Sequence, residues 1–311
     1  MQVHYNIKEL PEFERAVITI GAFDGVHLGH RQIIQQLIES ARSIDGTDVL
    51  ITFFPHPKKV VGSPDYQIRL LNTLEEKIGL LAATGLSHLV VVPFSEAFAS
   101  MSAETYIADF LVKQFHPHTI ITGYDHRFGS NRTGDIDLLR RQSTTFNYRV
   151  TEIPEYLIKN NSISSTKIRE AITDGLIDKA AELLGYAYFF SGTVVKGQQI
   201  GRTIGFPTAN IQVDNEEKLI PGLGVYAVEV HINSSELLCY GMMNIGKRPT
   251  FDGNSITVEV NIFDFNRDLY GARIKIIPLR KIRSEMKFES AEALSRQLMA
   301  DEAEAKNAVN H

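Results

Sequence analysis

The 311-residue chain reads as an α/β domain with a mainly parallel sheet, followed by an antiparallel β-barrel domain and a C-terminal helix. Three observations carry this reading. In the first half, apolar strand-like runs alternate with stretches whose apolar residues recur at helical spacing, the pattern of a parallel sheet covered on both faces. From Tyr186 onward, short β-prone runs separated by Gly, Pro and Asn follow one another without helices, which predicts a closed antiparallel barrel. The length exceeds one ordinary domain and fits two of roughly 100–200 residues.

The strands predicted for the first half are Ala16–Ile20, Val49–Phe54, His88–Val92, Thr119–Thr122 and Arg149–Ile153. Ligands of such sheets bind at the carboxyl ends of the strands. The first strand runs into Gly21-Ala22-Phe23-Asp24-Gly25-Val26-His27-Leu28-Gly29-His30, and Ile33, Ile34, Leu37, Ile38 and Ala41 then recur at helical spacing. This is a strand, a phosphate-accepting turn and a helix start. His27 and His30 fall in the first turn and share one face. There the unpartnered amides and the helix dipole favour an anion, and Gly25 and Gly29 let the backbone come close to it. A Walker A loop is excluded, since no Gly-Lys-Ser/Thr follows, and a dinucleotide fingerprint is disfavoured by the absence of Gly-x-Gly-x-x-Gly. Zinc ligation by the two imidazoles, or a pair of capping or core histidines, are the alternatives.

The second strand ends in Phe53-Phe54-Pro55-His56-Pro57, where prolines stop the ladder; His56 is either a nucleotide contact or a structural loop residue. The fourth opens into Gly123-Tyr124-Asp125-His126-Arg127-Phe128-Gly129, whose bracketing glycines suit a loop bent around a ligand. After the fifth, Ile163-Ser164-Ser165-Thr166-Lys167-Ile168-Arg169 supplies hydroxyls, amides and cations to phosphate at a helix start, or is an N-capped helix with solvated basic residues.

A short helix over Asp174–Leu184, stopped at Gly185, places the domain boundary near residue 185, giving domains 1–185 and 186–311. The second-half strands are Tyr188–Val195, Gly224–Ile232, Glu236–Ile245, Ser255–Ile262 and Ala272–Leu279, with a helix from Ser290 to about Ala308. Between the first two strands lies Gly201-Arg202-Thr203-Ile204-Gly205-Phe206-Pro207-Thr208-Ala209-Asn210, a loop by composition. Val258, Val260 and Ile262 put Glu259 on the opposite face, so it is equally an exposed carboxylate or a catalytic one. The acidic run Asp301–Glu304 reads as a solvated helix face.

With 43% hydrophobic and 22% charged residues the composition is that of a soluble globular protein. Lys and Arg total 32 against 37 Asp and Glu, a net charge of −5, without the basic footprint of a nucleic-acid binder. A single cysteine, Cys239, excludes an intrachain disulfide and a cysteine zinc cluster. The N-terminus has no basic stretch followed by an apolar run, and no uncharged stretch approaches about 20 residues. The expectation is a cytoplasmic protein without a membrane partner.

His27-Leu28-Gly29-His30 resembles the His-x-Gly-His motif of the nucleotidyltransferase superfamily, and Gly21-Ala22-Phe23-Asp24-Gly25-Val26 in front of it narrows the resemblance to the bacterial bifunctional riboflavin kinase/FAD synthetase family. Gly205–Asn210 resembles that family's Gly-Phe-Pro-Thr-Ala-Asn motif. Pro221–Ala227, Asn244–Phe251 and Thr257–Phe265 with Leu269-Tyr270-Gly271 agree with it. The resemblance implies a Rossmann-like nucleotidyltransferase domain over 1–185, converting FMN and ATP to FAD and pyrophosphate. It implies a riboflavin kinase barrel over 186–311, converting riboflavin and ATP to FMN. For the first it implies His27 and His30 as catalytic, with Gly21, Phe23, Asp24, Gly25, Asp125, Phe128, Ser165, Thr166 and Arg169 around the nucleotide. For the second it implies Glu259 as base toward the ribityl hydroxyl and Gly201, Arg202, Gly205, Phe206 and Pro207 at the nucleotide. Arg248, Pro249 and Thr250 would contact flavin, and Thr208 and Asn210 would hold Mg²⁺. The chain departs from the family at His126, where an aromatic residue is usual, and at Asn261, where His is common. One active half only, or a flavin-binding regulator, are the alternative functions.

Overall fold

The computed structural model describes residues 1–62, 68–123, 126–153, 163–197, 205–232, 238–250 and 253–309; at 248–250 and 253–255 it describes the backbone only. The chain divides into two compact units, Met1–Ser164 and Ser165–His311.

The first unit holds β1 (Gln2–His4), β2 (Val17–Ile20), β3 (Asp48–Phe54), β4 (His88–Pro93), β5 (Thr119–Gly123) and β6 (Arg149–Ile153) in one sheet of order β1-β4-β3-β2-β5-β6, with every pair parallel. Alternate residues of one strand feed two cores: Ile18 and Ile20 pack with Val49, Ile51 and Phe110, while Val17 packs with Leu50, Leu89, Ile34 and Leu37. That is why these strands read as continuous apolar runs. All five expected strands are present. The edge strand β1 was not expected, because its 3 residues are too few to show a period. The helix Leu28–Arg42 buries Ile34, Leu37, Ile38 and Ala41, on the face that the spacing predicts.

The second unit is a closed barrel of order β10-β11-β8-β7-β12-β9, built from β7 (Phe190–Val195), β8 (Ala209–Val213), β9 (Gly224–Ile232), β10 (Leu238–Thr250), β11 (Gly253–Ile262) and β12 (Arg273–Arg283). Val228, Val230, Met243, Ile245, Val258, Val260, Ile274 and Ile276 fill its interior. β8 was not among the expected strands, and its first two residues fall in the run read as loop: its Ala-Asn-Ile-Gln-Val alternation directly follows the Gly-Phe-Pro-Thr turn and is only 5 residues long. The helix Ala291–Val309 covers part of the outer face, where Ala305 meets Phe206, Val225, Ala227 and Met242. Asp301 corrects the reading of the acidic run as solvated. It is 1% exposed and is gripped by Arg283 at 2.9, 3.0 and 2.7 Å and by Gln297 at 2.9 Å.

The helices Ser165–Asp174 and Ile177–Leu184 pack with the barrel rather than with the sheet. Ile177 enters the barrel core, the Gly222 amide donates to the Ile172 carbonyl at 3.2 Å, and a side chain at Gly222 would overlap the Thr173 carbonyl. The packing division therefore precedes this helix pair, whereas the change in sequence texture follows it.

Candidate active sites

The turn after β2 is tightly determined. The Gly21 amide donates to the Ile51 carbonyl at 3.0 Å, and Phe23, Gly25 and Val26 then take left-handed φ values of 48°, 93° and 38°. For Phe23 and a β-branched Val26 this costs on the order of 1–3 kcal/mol each and persists only where the surroundings enforce it. Asp24 supplies part of that enforcement. It is 3% exposed, and its carboxylate accepts the amides of Leu71 at 3.1 Å and Asn72 at 3.3 Å. Through these bonds Asp24 braces the loop. Phe23 is buried as well, its ring centroid 5.0 Å from that of His30.

His27 is the N-cap of Leu28–Arg42 rather than a member of its first turn: it is extended, at φ −68° and ψ 171°, and its Nδ1 accepts the His30 amide at 3.3 Å. In the neutral ring the proton then lies on Nε2, which makes that nitrogen the donor. The two imidazoles stack with centroids 3.6 Å apart and 16° between planes. A Cβ at Gly29 would sit 3.3 Å from His27 Nδ1, so glycine there keeps the cap unobstructed. His30 Nδ1 is buried and meets no partner among the described residues. Burial holds His30 well below the usual imidazole range, and the charges of His27 and Lys77 push in the same direction.

Phe128 is 6% exposed and stacks on Tyr106 with centroids 5.1 Å apart, while His126 stacks on its outer side at 5.7 Å. Phe128 thus anchors the loop in the core, and His126 occupies the exterior side. His56 caps the helix Pro57–Val60 by accepting the Lys58 amide at 3.2 Å, the structural role. Ser165, Thr166 and Arg169 lie at the start of the helix Ser165–Asp174, in the second unit. Asp125, Gly201 and Arg202 lie outside the described residues, as do the side chains of Arg248, Pro249 and Thr250.

The barrel brings the other motif residues together. Val258 and Val260 point inward, so Glu259 faces outward, in register with Asn210 of β8 on one side and Asn244 of β10 on the other. Thr208 Oγ1 donates to Glu259 Oε2 at 3.4 Å. A side chain at Gly197 would overlap the Asn210 amide, so glycine makes room for it. Asn261, 8% exposed, donates from Nδ2 to the Pro207 carbonyl at 2.7 Å and ties β11 to the start of β8. A cavity of about 80 Å³ opens beside Pro207 and Thr208, walled by Val194, Val260, Phe265 and Tyr270. Gly205 adopts φ 84°, a backbone requirement. Phe206 turns away into the cluster under the C-terminal helix, a packing role.

Sequence reasoning passed over Lys77, Thr52 and Asn244 as site residues, and met Asn261 only as a departure from the family motif. Thr52 sits in the apolar run of β3 and Lys77 in an ordinary amphipathic helix, so neither carries a local signal. Asn244 could have been found by pairing β10 with β11 through Glu259. Among the described residues no helix is long and apolar enough to cross a membrane.

Residues 10–167 match the FAD synthetase family and residues 184–309 the riboflavin kinase family. A bifunctional riboflavin kinase/FMN adenylyltransferase of Listeria monocytogenes is 38% identical over 93% of this chain and 91% of its own. The protein of that description from Escherichia coli K12 is 37% identical over 97% and 95%. A crystal structure from Streptococcus pneumoniae, described as a macrolide-efflux protein, is 34% identical, covers 98% of each chain and has a TM-score of 0.86. With both domains matched in order and relatives of this identity along nearly its whole length, the chain belongs to the bacterial bifunctional riboflavin kinase/FMN adenylyltransferase family.

Proposed function

We propose that the His27/His30 turn is the adenylyl-transfer site, and the Thr208/Glu259 end of the barrel the phosphoryl-transfer site, of an enzyme that makes FMN from riboflavin and FAD from FMN. The observation that carries this is that each motif closes into one cluster within its own unit: the imidazoles stack at 3.6 Å, and Thr208 meets Glu259 at 3.4 Å.

At the barrel, Glu259 accepts the proton of the ribityl primary hydroxyl as that oxygen attacks the γ-phosphorus of ATP, and ADP leaves. Thr208 Oγ1 and the Asn210 amide oxygen, beside the Glu259 carboxylate, form an all-oxygen donor set of the kind that suits Mg²⁺ shared with phosphates. Bound there, Mg²⁺ would neutralise charge on the transferring phosphoryl group. Arg248, Pro249 and Thr250 of β10 are assigned to the flavin, and Gly201, Arg202, Gly205 and Pro207 to the nucleotide.

At the first site a phosphate oxygen of FMN attacks the α-phosphorus of ATP and pyrophosphate leaves. The capping His27 offers Nε2–H to the phosphate oxygens, and His30, held neutral by burial, offers a hydrogen bond rather than a second charge. Such a reaction is accelerated by positioning and by fixed dipoles, without a covalent nucleophile. Gly21 and Gly25 allow close backbone approach, and the family resemblance assigns Asp125 to the nucleotide. Functionally we keep the boundary near residue 185 and place the enzyme in the cytoplasm, where its ATP is held.

The test is chromatography of the flavins formed from riboflavin, ATP and Mg²⁺, with FMN plus ATP in parallel. Riboflavin passing through FMN to FAD is the expected result. FMN as end product, with no FAD in the parallel reaction, would remove the role given to His27 and His30.

A further inference from the structure

The helix Leu74–Ala82 carries a buried cation that neither motif contains. Lys77 is 6% exposed, and its Nζ donates to the Ala22 carbonyl at 2.7 Å. The same oxygen accepts the Thr52 hydroxyl at 3.1 Å. Ala22 stands where β2 has ended and the left-handed turn begins. Two residues on, the Asp24 carboxylate accepts the amides of Leu71 and Asn72, which lead into the Lys77 helix. That helix is fixed by a capping box, with Thr73 Oγ1 accepting from Glu76 at 3.2 Å and Glu76 accepting the Thr73 amide at 2.9 Å. One rigid element therefore grips the turn at both Ala22 and Asp24.

An apolar side chain of similar length would fill this volume without the cost of taking an ammonium out of water. Burial does pull Lys77 below the usual lysine range, and Asp24 is the opposing influence. What the ammonium adds over such a side chain is a directed donor on a turn carbonyl, next to the two imidazoles.

We propose that Lys77 is a positioning residue for adenylyl transfer: with Thr52 it clamps the Ala22 carbonyl and so fixes the turn that presents His27 and His30 to the phosphates. This rests on the reading of that turn as the adenylyl-transfer site.

The test uses full-length Lys77→Met, Lys77→Arg and Thr52→Val and the double variant Lys77→Met/Thr52→Val. It measures kcat and KM for FAD formation from FMN and ATP, with FMN formation by the same polypeptide as the folding control. Lys77→Met should lower kcat on the order of 10²-fold, the effect of a misplacement near 1 Å, with little change in KM and none in FMN formation. Lys77→Arg, which keeps charge and donor, should retain more activity than Lys77→Met. Thr52→Val should lower kcat by about tenfold, and the double variant should lose less than the product of the single losses, because both act through one oxygen. A wild-type kcat in Lys77→Met, or losses that multiply, would overturn the proposal. Should Lys77→Met also lose FMN formation, its FAD result is a folding defect, and an unchanged kcat in Thr52→Val overturns the proposal instead. Wild-type protein that makes no FAD from FMN would overturn the reading of the site itself, and this proposal with it.

Discussion

The imidazole of His30 lies flat against that of His27, which at the same time caps the helix by accepting the His30 amide at 3.3 Å. One ring is thus both helix cap and neighbouring charge. Two imidazoliums stacked 3.6 Å apart would repel, which adds to the burial that keeps His30 uncharged.

The double role of His27 can be separated by substitution. His27→Ala should cost about 1 kcal/mol of stability through the lost cap and on the order of 10²–10⁴-fold in FAD formation. His27→Asn restores a strong capping residue and should recover the stability without the rate. Denaturation midpoints and FAD assays on the two variants check this, and full recovery of rate in His27→Asn would show that the ring serves only as a cap.

Acid should loosen the first unit through His30. Its folded pKa lies below the ordinary 6.5, so as pH falls the unfolded chain takes up the proton first. Stability is therefore lost from about pH 6.5 downward until the lowered folded pKa is passed. His4 and His88, joined ring to ring at 3.0 Å and both lowered chiefly by burial, act with the same sign. Protection of the amides of Leu28–Arg42, taken as exchange corrected for its intrinsic rate at each pH, should fall below about pH 6.5, and His30→Asn should flatten that dependence; equal slopes would contradict it.

The strands and barrel were legible because period and turn residues act locally, and so were the His27, His30, Thr208, Asn210 and Glu259 clusters, each carried by contiguous chain or one strand pair. What could not be read was direction. Asp24, Phe128 and Phe206 sit inside ligand-like motifs yet turn into the protein, since a motif string does not say which side of its turn is solvent. Asp301 was misread because its partner Arg283 lies on another element, and only the docked helix brings the two together.

That buried pair gives a stability prediction. Asp301→Asn should leave Arg283 uncompensated and destabilise the barrel by about 3–5 kcal/mol, visible as a lower denaturant midpoint and faster exchange in the helix Ala291–Val309. Arg283→Met with Asp301→Leu removes both charges and should recover most of the loss. No recovery would mean that the pair's geometry, not its charge balance, holds the helix.

Asn261 donates from its amide to the Pro207 carbonyl at 2.7 Å, next to Thr208, which meets Glu259. Asn261→Ala leaves that carbonyl with a donor removed in a buried place, a loss of about 1–3 kcal/mol. If the strand start shifts, the cost should fall on kcat/KM for riboflavin phosphorylation by roughly tenfold to a hundredfold. Asn261→Asp should be worse, because an ionised carboxylate accepts only and would face an acceptor. Asn261→His, able to donate from its ring, should stay closest to wild type. FAD formation from supplied FMN is the internal standard in each case. A uniform loss across all three variants would show that Asn261 touches substrate itself instead of acting through Pro207.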